Sequence, residues 1–256
     1  MWYYKSKKDD KEVIDKLNQM ADQMPHRGFD EYYGRIRAEG IIWNRKRVLR
    51  IYRQMNLTMR RKRKRRLPSR IQESLSQPLS INQTWSMDFM SDSLVYGRLF
   101  RVLNIIDDYN REALAIDADF SMPGEKVINV LREVIFWRGK PQRIRVDNGP
   151  EFISKALKGW CDRKGIELKY IQPGKPAQNA YIERFNRFYR EDILDAYLFD
   201  DIEQVERLSN EWMNDYNQNH PHKSLGGMSP FKYAKTFTEE GTLLCEGSTI
   251  NKECLI

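Results

Sequence analysis

Apolar positions change their period along this chain. In residues 41–57, Val48, Ile51, Tyr52 and Met55 recur three and four apart, the spacing of one helix face. The spacing predicts a helix over residues 45–55 capped by Asn44, after a first helix over residues 31–39 that Gly40 breaks. Arg45, Lys46, Arg47, Arg50 and Arg53 are left on the outward face of the second helix. Cations in a first helical turn oppose the helix dipole, by a few tenths to about 1 kcal/mol, and a docked phosphate reverses that penalty.

From residue 58 to residue 80 the pattern dissolves into Arg60, Arg61, Lys62, Arg63, Lys64, Arg65 and Arg66, followed by Pro68, Ser69 and Pro78. A like-charge run repels itself and stays extended until counter-charge arrives, so this stretch reads as a basic linker suited to following a nucleic-acid backbone. After Ser80 short β-prone segments take over, at residues 85–89, 99–106 and 113–119, with Asp107-Asp108-Tyr109-Asn110 joining the last two. A helix over 125–137, a strand over 144–146, a helix over 154–164 ended by Gly165 and a strand over 167–171 follow. Pro173, Gly174 and Pro176 then delay the next helix until about residues 177–179. The order βββαβαβα implies an α/β fold: an antiparallel three-strand meander continued by parallel strands in one mixed sheet flanked by helices, which resembles the ribonuclease H-like order. The chain thus divides into an N-terminal helical, DNA-binding region (1–57), the linker (58–80), a core (81–200) and a C-terminal helix and tail that complete it (201–256).

Charge sharpens this picture. The net charge is +8, and residues 41–72 hold thirteen Lys or Arg and no acid, a concentration that favours a polyanionic partner. No segment approaches transmembrane length, and Lys5, Lys7, Lys8, Asp9 and Asp10 occupy the place of a secretory signal's apolar run, so a cytoplasmic location and no membrane partner are expected. Cys161, Cys245 and Cys254 are odd in number and widely spaced, which predicts free thiols. His26, His220 and His222 do not form a zinc pattern with them.

Three acids carry the candidate chemistry. Asp88 lies in the β-prone run Trp85-Ser86-Met87-Asp88-Phe89, Asp147 closes Arg143-Ile144-Arg145-Val146 before the turn-forming Asn148-Gly149, and Glu183 lies on a helix, with thirty-five residues separating it from Asp147. Stepping 100° per residue places Glu183 opposite its helix's apolar stripe, among Asn179, Asn186, Arg187 and Arg190. If the three carboxylates converge, each pair at about 4 Å repels by roughly 4 kcal/mol at an effective dielectric near 20. A divalent cation relieves this, and all-oxygen ligands favour Mg²⁺ or Mn²⁺. Two such ions about 3.5 to 4 Å apart activate a water or hydroxyl and stabilise the leaving oxygen of a phosphodiester. The sequence has no phosphate-cradling Gly-rich loop and no nucleophile–His pair, so ATP hydrolysis and acyl transfer are poorly supported. Lys175, Arg184, Arg187 and Arg190 are the expected DNA contacts beside the acids. Asp107 and Asp108 are read as structural, Glu151 as serving the following loop, and Trp85, Trp137 and Trp160 as core.

The stretches Asp147-Asn148-Gly149-Pro150-Glu151-Phe152, Gly174-Lys175-Pro176-Ala177-Gln178-Asn179-Ala180-Tyr181-Ile182-Glu183-Arg184-Phe185-Asn186 and Pro221-His222-Lys223-Ser224-Leu225 resemble the insertion-sequence transposases whose catalytic half is similar to retroviral integrases, with their Asp-Asp-35-Glu signature. The resemblance implies a Mg²⁺-dependent polynucleotidyl transferase of the bacterial nucleoid. Asp88, Asp147 and Glu183 would hold two Mg²⁺ ions, Mn²⁺ substituting, while water frees a 3′ hydroxyl at the element's end and that hydroxyl attacks a second phosphodiester. It further implies double-stranded DNA, both element ends and target, as partner. A homodimer is expected, because two ends are joined, together with an upstream helix-turn-helix product that is often fused by frameshift. His220 stands where members usually have Arg, and the retroviral amino-terminal His/Cys zinc module is missing. A structure-specific nuclease of the same fold, or a DNA-binding regulator without chemistry, are the competing readings.

Overall fold

A computed structural model describes residues 9–58, 78–172 and 179–238. Three helices come first: α1 (Lys11–Gln23), α2 (Phe29–Ala38) and α3 (Arg45–Gln54). Their apolar faces meet in a small core of Val13, Leu17, Met20, Tyr32, Ile36, Val48, Ile51 and Tyr52. The face expected of α3 is therefore the buried one, and Asn44 caps it by accepting from the Lys46 backbone N–H at 2.8 Å. Helix α1 was not anticipated, because Val13, Leu17 and Met20 are thinly spread among charged residues and bury only when α3 packs against them.

The core is a five-stranded sheet in the order β3-β2-β1-β4-β5, built from β1 (Thr84–Ser93), β2 (Leu99–Asp107), β3 (Ala113–Asp119), β4 (Arg143–Val146) and β5 (Glu167–Tyr170). Strands β1, β2 and β3 form the antiparallel meander, while β4 pairs parallel to β1 and β5 parallel to β4. Parallel neighbours need crossovers, which α4 (Gly124–Arg138) and α5 (Lys155–Lys164) supply. Ser154 caps α5 and Gly165, at φ 64°, ends it.

Alternation along β1 decides which helix covers which face. Trp85 and Met87 bury with Val127, Leu131, Val134, Leu157 and Trp160 under α4 and α5. Met90, Val102 and Ile116 bury with Ile182, Phe185, Tyr189 and Tyr216 on the other side, under α6 (Ala180–Tyr189) and α7 (Ile202–Asn219), and α8 (Pro230–Thr238) follows. Trp85 and Trp160 are core as expected, but Trp137, on the last turn of α4, stays 40% exposed.

Polar contacts fasten the three-helix unit to the core. Arg35 of α2 pairs with Asp215 of α7 at 2.9 Å, His220 Nδ1 donates to Glu31 Oε1 at 3.0 Å, and Arg27 pairs with Asp192. Burial lowers the pKa of His220, so the neutral ring fills this role. Gly34 lets the units approach, because a Cβ there would sit 2.8 Å from Pro221 Cγ. Among the described residues no helix is long and apolar enough to cross a membrane.

Candidate active site

Asp88 lies on the central strand β1, on the face turned towards α6, directly across from Asn104 of β2 in the antiparallel register. The parallel register pairs Ser86 with Arg145. Asp88 lies two residues beyond that pair on β1, and Asp147 two residues beyond it, just past the end of β4. Strand β4 stops at Val146, and the Gly149 backbone N–H donates to Asp147 Oδ1 at 2.9 Å. A Cβ on Gly149 would lie 3.0 Å from that oxygen, so glycine is what lets the turn fold back on the acid.

Glu183 is on α6, and its helix is tied to Asp88 through one side chain. Asn186, one turn on, donates from Nδ2 to Asp88 Oδ2 at 2.8 Å and accepts at Oδ1 from Asn104 Nδ2 at 2.7 Å. Asp88 Oδ1 takes the Phe89 backbone N–H at 2.8 Å. Burial pushes the Asp88 carboxyl up to about 6, opposed by the bonds from Phe89 and Asn186 and reinforced by the negative charges of Asp147 and Glu183. Asp88 therefore lies within the fields of both other acids, in a graded environment: Asp88 and Asp147 are half-buried and Glu183 is exposed. They are not closed into a cage: among the described residues no three His, Cys, Asp or Glu side chains stand close enough together to hold a metal ion as they are. Mutual repulsion is a sufficient physical reason for three carboxylates to remain parted without a cation. The donors are all oxygen, the type that hard divalent ions take, so the residues fit Mg²⁺ or Mn²⁺ in kind.

The competing acids have other tasks. Asp107 accepts from the backbone N–H groups of Asn82 and Tyr109, and buried Asp108 binds Arg145 at 2.8 Å and the Ser86 hydroxyl at 2.7 Å. Both are structural, as expected. Glu151 reaches across to Arg101 of β2 rather than serving only its own loop.

The expected cationic contacts divide into groups. Arg60, Arg61, Lys62, Arg63, Lys64, Arg65, Arg66 and Lys175 lie outside the described residues. On α3, Lys46 is exposed, but Arg45 pairs with Asp30 at 2.9 Å, and Arg47 and Arg50 pair with Asp10 at 2.8 and 2.5 Å. The outward face of α3 is thus partly neutralised by acids near the start of α1 and α2. Arg190 stays near the triad, donating to the Ser91 carbonyl at 3.0 Å and pairing with Asp92 at 3.4 Å. Arg187 pairs with Glu191 at 3.7 Å, and Arg184 and Arg187 line a separate cavity beside the N-terminal helices. Sequence reasoning passed over Asn104 as a site residue. Its signal was a polar residue within the apolar run Val102-Leu103-Asn104-Ile105-Ile106.

A mixed five-stranded sheet, helices on both faces and acids presented from β1, the end of β4 and α6 define a ribonuclease H-like nucleic-acid-processing core. The chain matches the Integrase core domain family over residues 79–176 and a second Integrase core domain description over residues 164–230. It is 36% identical over 234 residues to the insertion element IS407 31.7 kDa protein of Burkholderia multivorans, covering 91% of this chain and 84% of that one. It is 35% identical to the insertion element IS476 39.2 kDa protein of Xanthomonas euvesicatoria, spanning 64% of that protein's length and 87% of this chain. The transposase InsD for insertion element IS2D of Escherichia coli is 25% identical, with 89% and 79% coverage. In fold, the chain is similar to the integrase of a simian T-cell lymphotropic virus intasome (TM-score 0.53, 14% identity, 93% of this chain and 80% of that one). The HTLV-2 integrase catalytic core also shares it (TM-score 0.50, 19% identity, 61% of this chain and 98% of that one). The chain belongs to the insertion-element transposases with an integrase-like core. Its function is that of a DNA transposase/integrase, a polynucleotidyl transferase.

Proposed function

We propose that Asp88, Asp147 and Glu183 are the catalytic acids and together hold two Mg²⁺ ions, with Mn²⁺ substituting, for strand cleavage and 3′-OH strand transfer at the ends of an insertion sequence. The observation that supports this reading is that Asn186 ties the helix of Glu183 to Asp88, whose carboxyl is raised chiefly by burial and further by the charges of Asp147 and Glu183, two acids brought from a strand end and a helix. The related HTLV-2 core is in complex with magnesium, which accords with the choice of ion. When bound, the ions supply the charge that activates the attacking oxygen and stabilises the leaving one.

The chain's own residues then have defined tasks. Asn186 and the Phe89 N–H orient Asp88, and the Gly149 N–H orients Asp147. Exposed Glu183 completes the set from the solvent side, where a phosphodiester enters. Arg190, held beside β1, and the exposed Lys46 are our candidates for backbone contacts, with Lys175 and the linker cations as further ones. We extend the same reading to the organisation: a DNA-binding helical region (1–57), a basic linker (58–80), the catalytic core (81–200) and a completing tail (201–256). The active form is a homodimer on double-stranded DNA in the bacterial cytoplasm at the nucleoid, assisted by an upstream helix-turn-helix product.

The test replaces each acid. Asp88→Asn, Asp147→Asn and Glu183→Gln should each abolish end cleavage and strand transfer in Mg²⁺ while leaving folding intact. Full activity in any of them sinks the assignment. A strand-transfer assay with precleaved ends separates a transposase, which joins, from a nuclease, which only cuts.

A further inference from the structure

A cavity of about 1550 Å³ lies between the three-helix unit and the core, on the side of α6 turned away from Asp88. Small-molecule sites usually measure about 300–1,000 Å³, so this space suits a length of polymer better than a metabolite. Among the described residues seven Arg or Lys and three acids line it, a surplus of four positive charges.

Two of its lining groups are buried and unsatisfied. Arg111 Nη1 and His222 Nε2 have no hydrogen-bond partner among the described residues, although Arg111 is 5% exposed and His222 8%. A buried guanidinium N–H without an acceptor is costly, and native structures rarely tolerate one. Arg111 is also held in place at some conformational expense. Its φ is 64°, its carbonyl accepts from the Tyr216 hydroxyl at 3.2 Å, and its guanidinium lies 3.5 Å over the Tyr181 ring. Stacking occupies the face of a guanidinium and leaves its N–H edge for an in-plane acceptor such as a phosphate. Arg27 and Arg184 similarly lie over Phe188, at 4.3 and 5.6 Å.

We propose that this cavity is a second DNA-backbone site, in which Arg111 and His222 bind a phosphodiester of a strand that also passes the catalytic face of α6. The location rests on the transposase reading only for the identity of the polymer. Asn186 and Arg190 bond to β1 while Arg184 and Phe188 line the cavity, so one helix would separate the reacting phosphate from a positioning one. His222 would act as a neutral donor, because burial holds its pKa far below the ordinary value, at about 2.

The experiment measures binding of a short labelled duplex to the full chain in EDTA, where no chemistry occurs, across a salt series. Arg111→Asn suits the left-handed backbone, and His222→Phe keeps ring volume without a polar atom. Each should weaken binding several-fold, and Arg111→Asn should lower the log–log salt slope by about 1. His222→Phe should leave the unliganded unfolding temperature unchanged or raised, since it removes an unsatisfied group. Unchanged duplex affinity in both variants overturns the proposal. So does inorganic phosphate raising the wild-type unfolding temperature as much as duplex does, which would mark a small-anion site. If the wild type binds duplex but never cleaves it in Mg²⁺, the catalytic assignment falls and the cavity stands. If cavity variants bind normally while acid variants lose chemistry, the cavity falls alone.

Discussion

Asn186 of α6 donates to Asp88 of β1 at 2.8 Å, and this bond joins the helix carrying Glu183 to the strand carrying the first acid. Asn104 completes the relay from β2 at 2.7 Å. The amide holds one oxygen of Asp88 in a fixed direction, so the acid's orientation depends on a residue that has no charge of its own. Asn186→Leu should reduce strand transfer by about 10- to 100-fold, with a raised Mg²⁺ requirement, as loss of an orienting partner does. It should also cost about 1–3 kcal/mol in urea denaturation, because Asn104 is left buried without its acceptor. Wild-type Mg²⁺ dependence in a folded variant would remove Asn186 from the mechanism.

Asp88 makes the metal-free protein sensitive to pH. Burial, helped by Asp147 and Glu183, raises its pKa from 3.8 to about 6, so the folded state binds this proton more tightly than the unfolded one. The associated stability is fully present below pH 3.8 and is lost as pH rises through about 6. A shift of this size corresponds to at most about 3 kcal/mol. Asp88→Asn should therefore be more stable than wild type in EDTA at pH 7 and inactive in Mg²⁺. A variant less stable than wild type at that pH would contradict the repulsion argument.

Divalent ions should reverse this destabilisation. Mg²⁺ or Mn²⁺ at 100 times its dissociation constant adds about 2.7 kcal/mol to a protein that binds it only when folded. Wild type should show a concentration-dependent rise in unfolding temperature above pH 6, and Asp147→Asn and Glu183→Gln should show little or none. Equal rises in all three proteins would place the ion elsewhere.

The buried Arg145–Asp108 pair beside β1 should be a strong determinant of stability. Arg145 is 7% exposed and Asp108 0%, and Ser86 supplies the second bond to Asp108. Arg145→Met strands a buried carboxylate and should cost about 3–5 kcal/mol, whereas the double variant Arg145→Met/Asp108→Asn should recover much of it. Chemical denaturation of the two variants distinguishes an obligatory pair from a dispensable one.

Acids of the N-terminal helices compete with DNA for α3. Asp10 binds both Arg47 and Arg50, and their guanidinium groups hold its carboxyl below the usual range. Asp10→Asn should free two cations and tighten duplex binding at low salt, with a steeper salt dependence. Unaltered affinity would show that this face of α3 does not meet DNA.

Much of this architecture was legible before any coordinates. Alternation and breaker residues located the meander, α4, β4, α5 and β5, because each is a local consequence of side-chain period, and Gly165 and Asn44 end or begin helices by chemistry that needs no neighbour. Helix α1 escaped because its apolar residues gain their meaning only against α3. Arg45, Arg47 and Arg50 read as free cations because their acidic partners lie 15 to 40 residues away in the chain.

What the sequence determined by itself is the order of elements and the choice of three candidate acids, since period, turn chemistry and the thirty-five-residue interval are properties of the chain alone. Tertiary structure decided which groups share a field: the β1–β4 pairing that brings Asp88 and Asp147 onto neighbouring chain segments, the Asn104–Asn186–Asp88 relay, and the meeting of Arg111 with His222 in one cavity. Those relations join residues as many as 111 positions apart (222 − 111), and electrostatic and hydrogen-bond energies depend on distance in space, which no local pattern encodes.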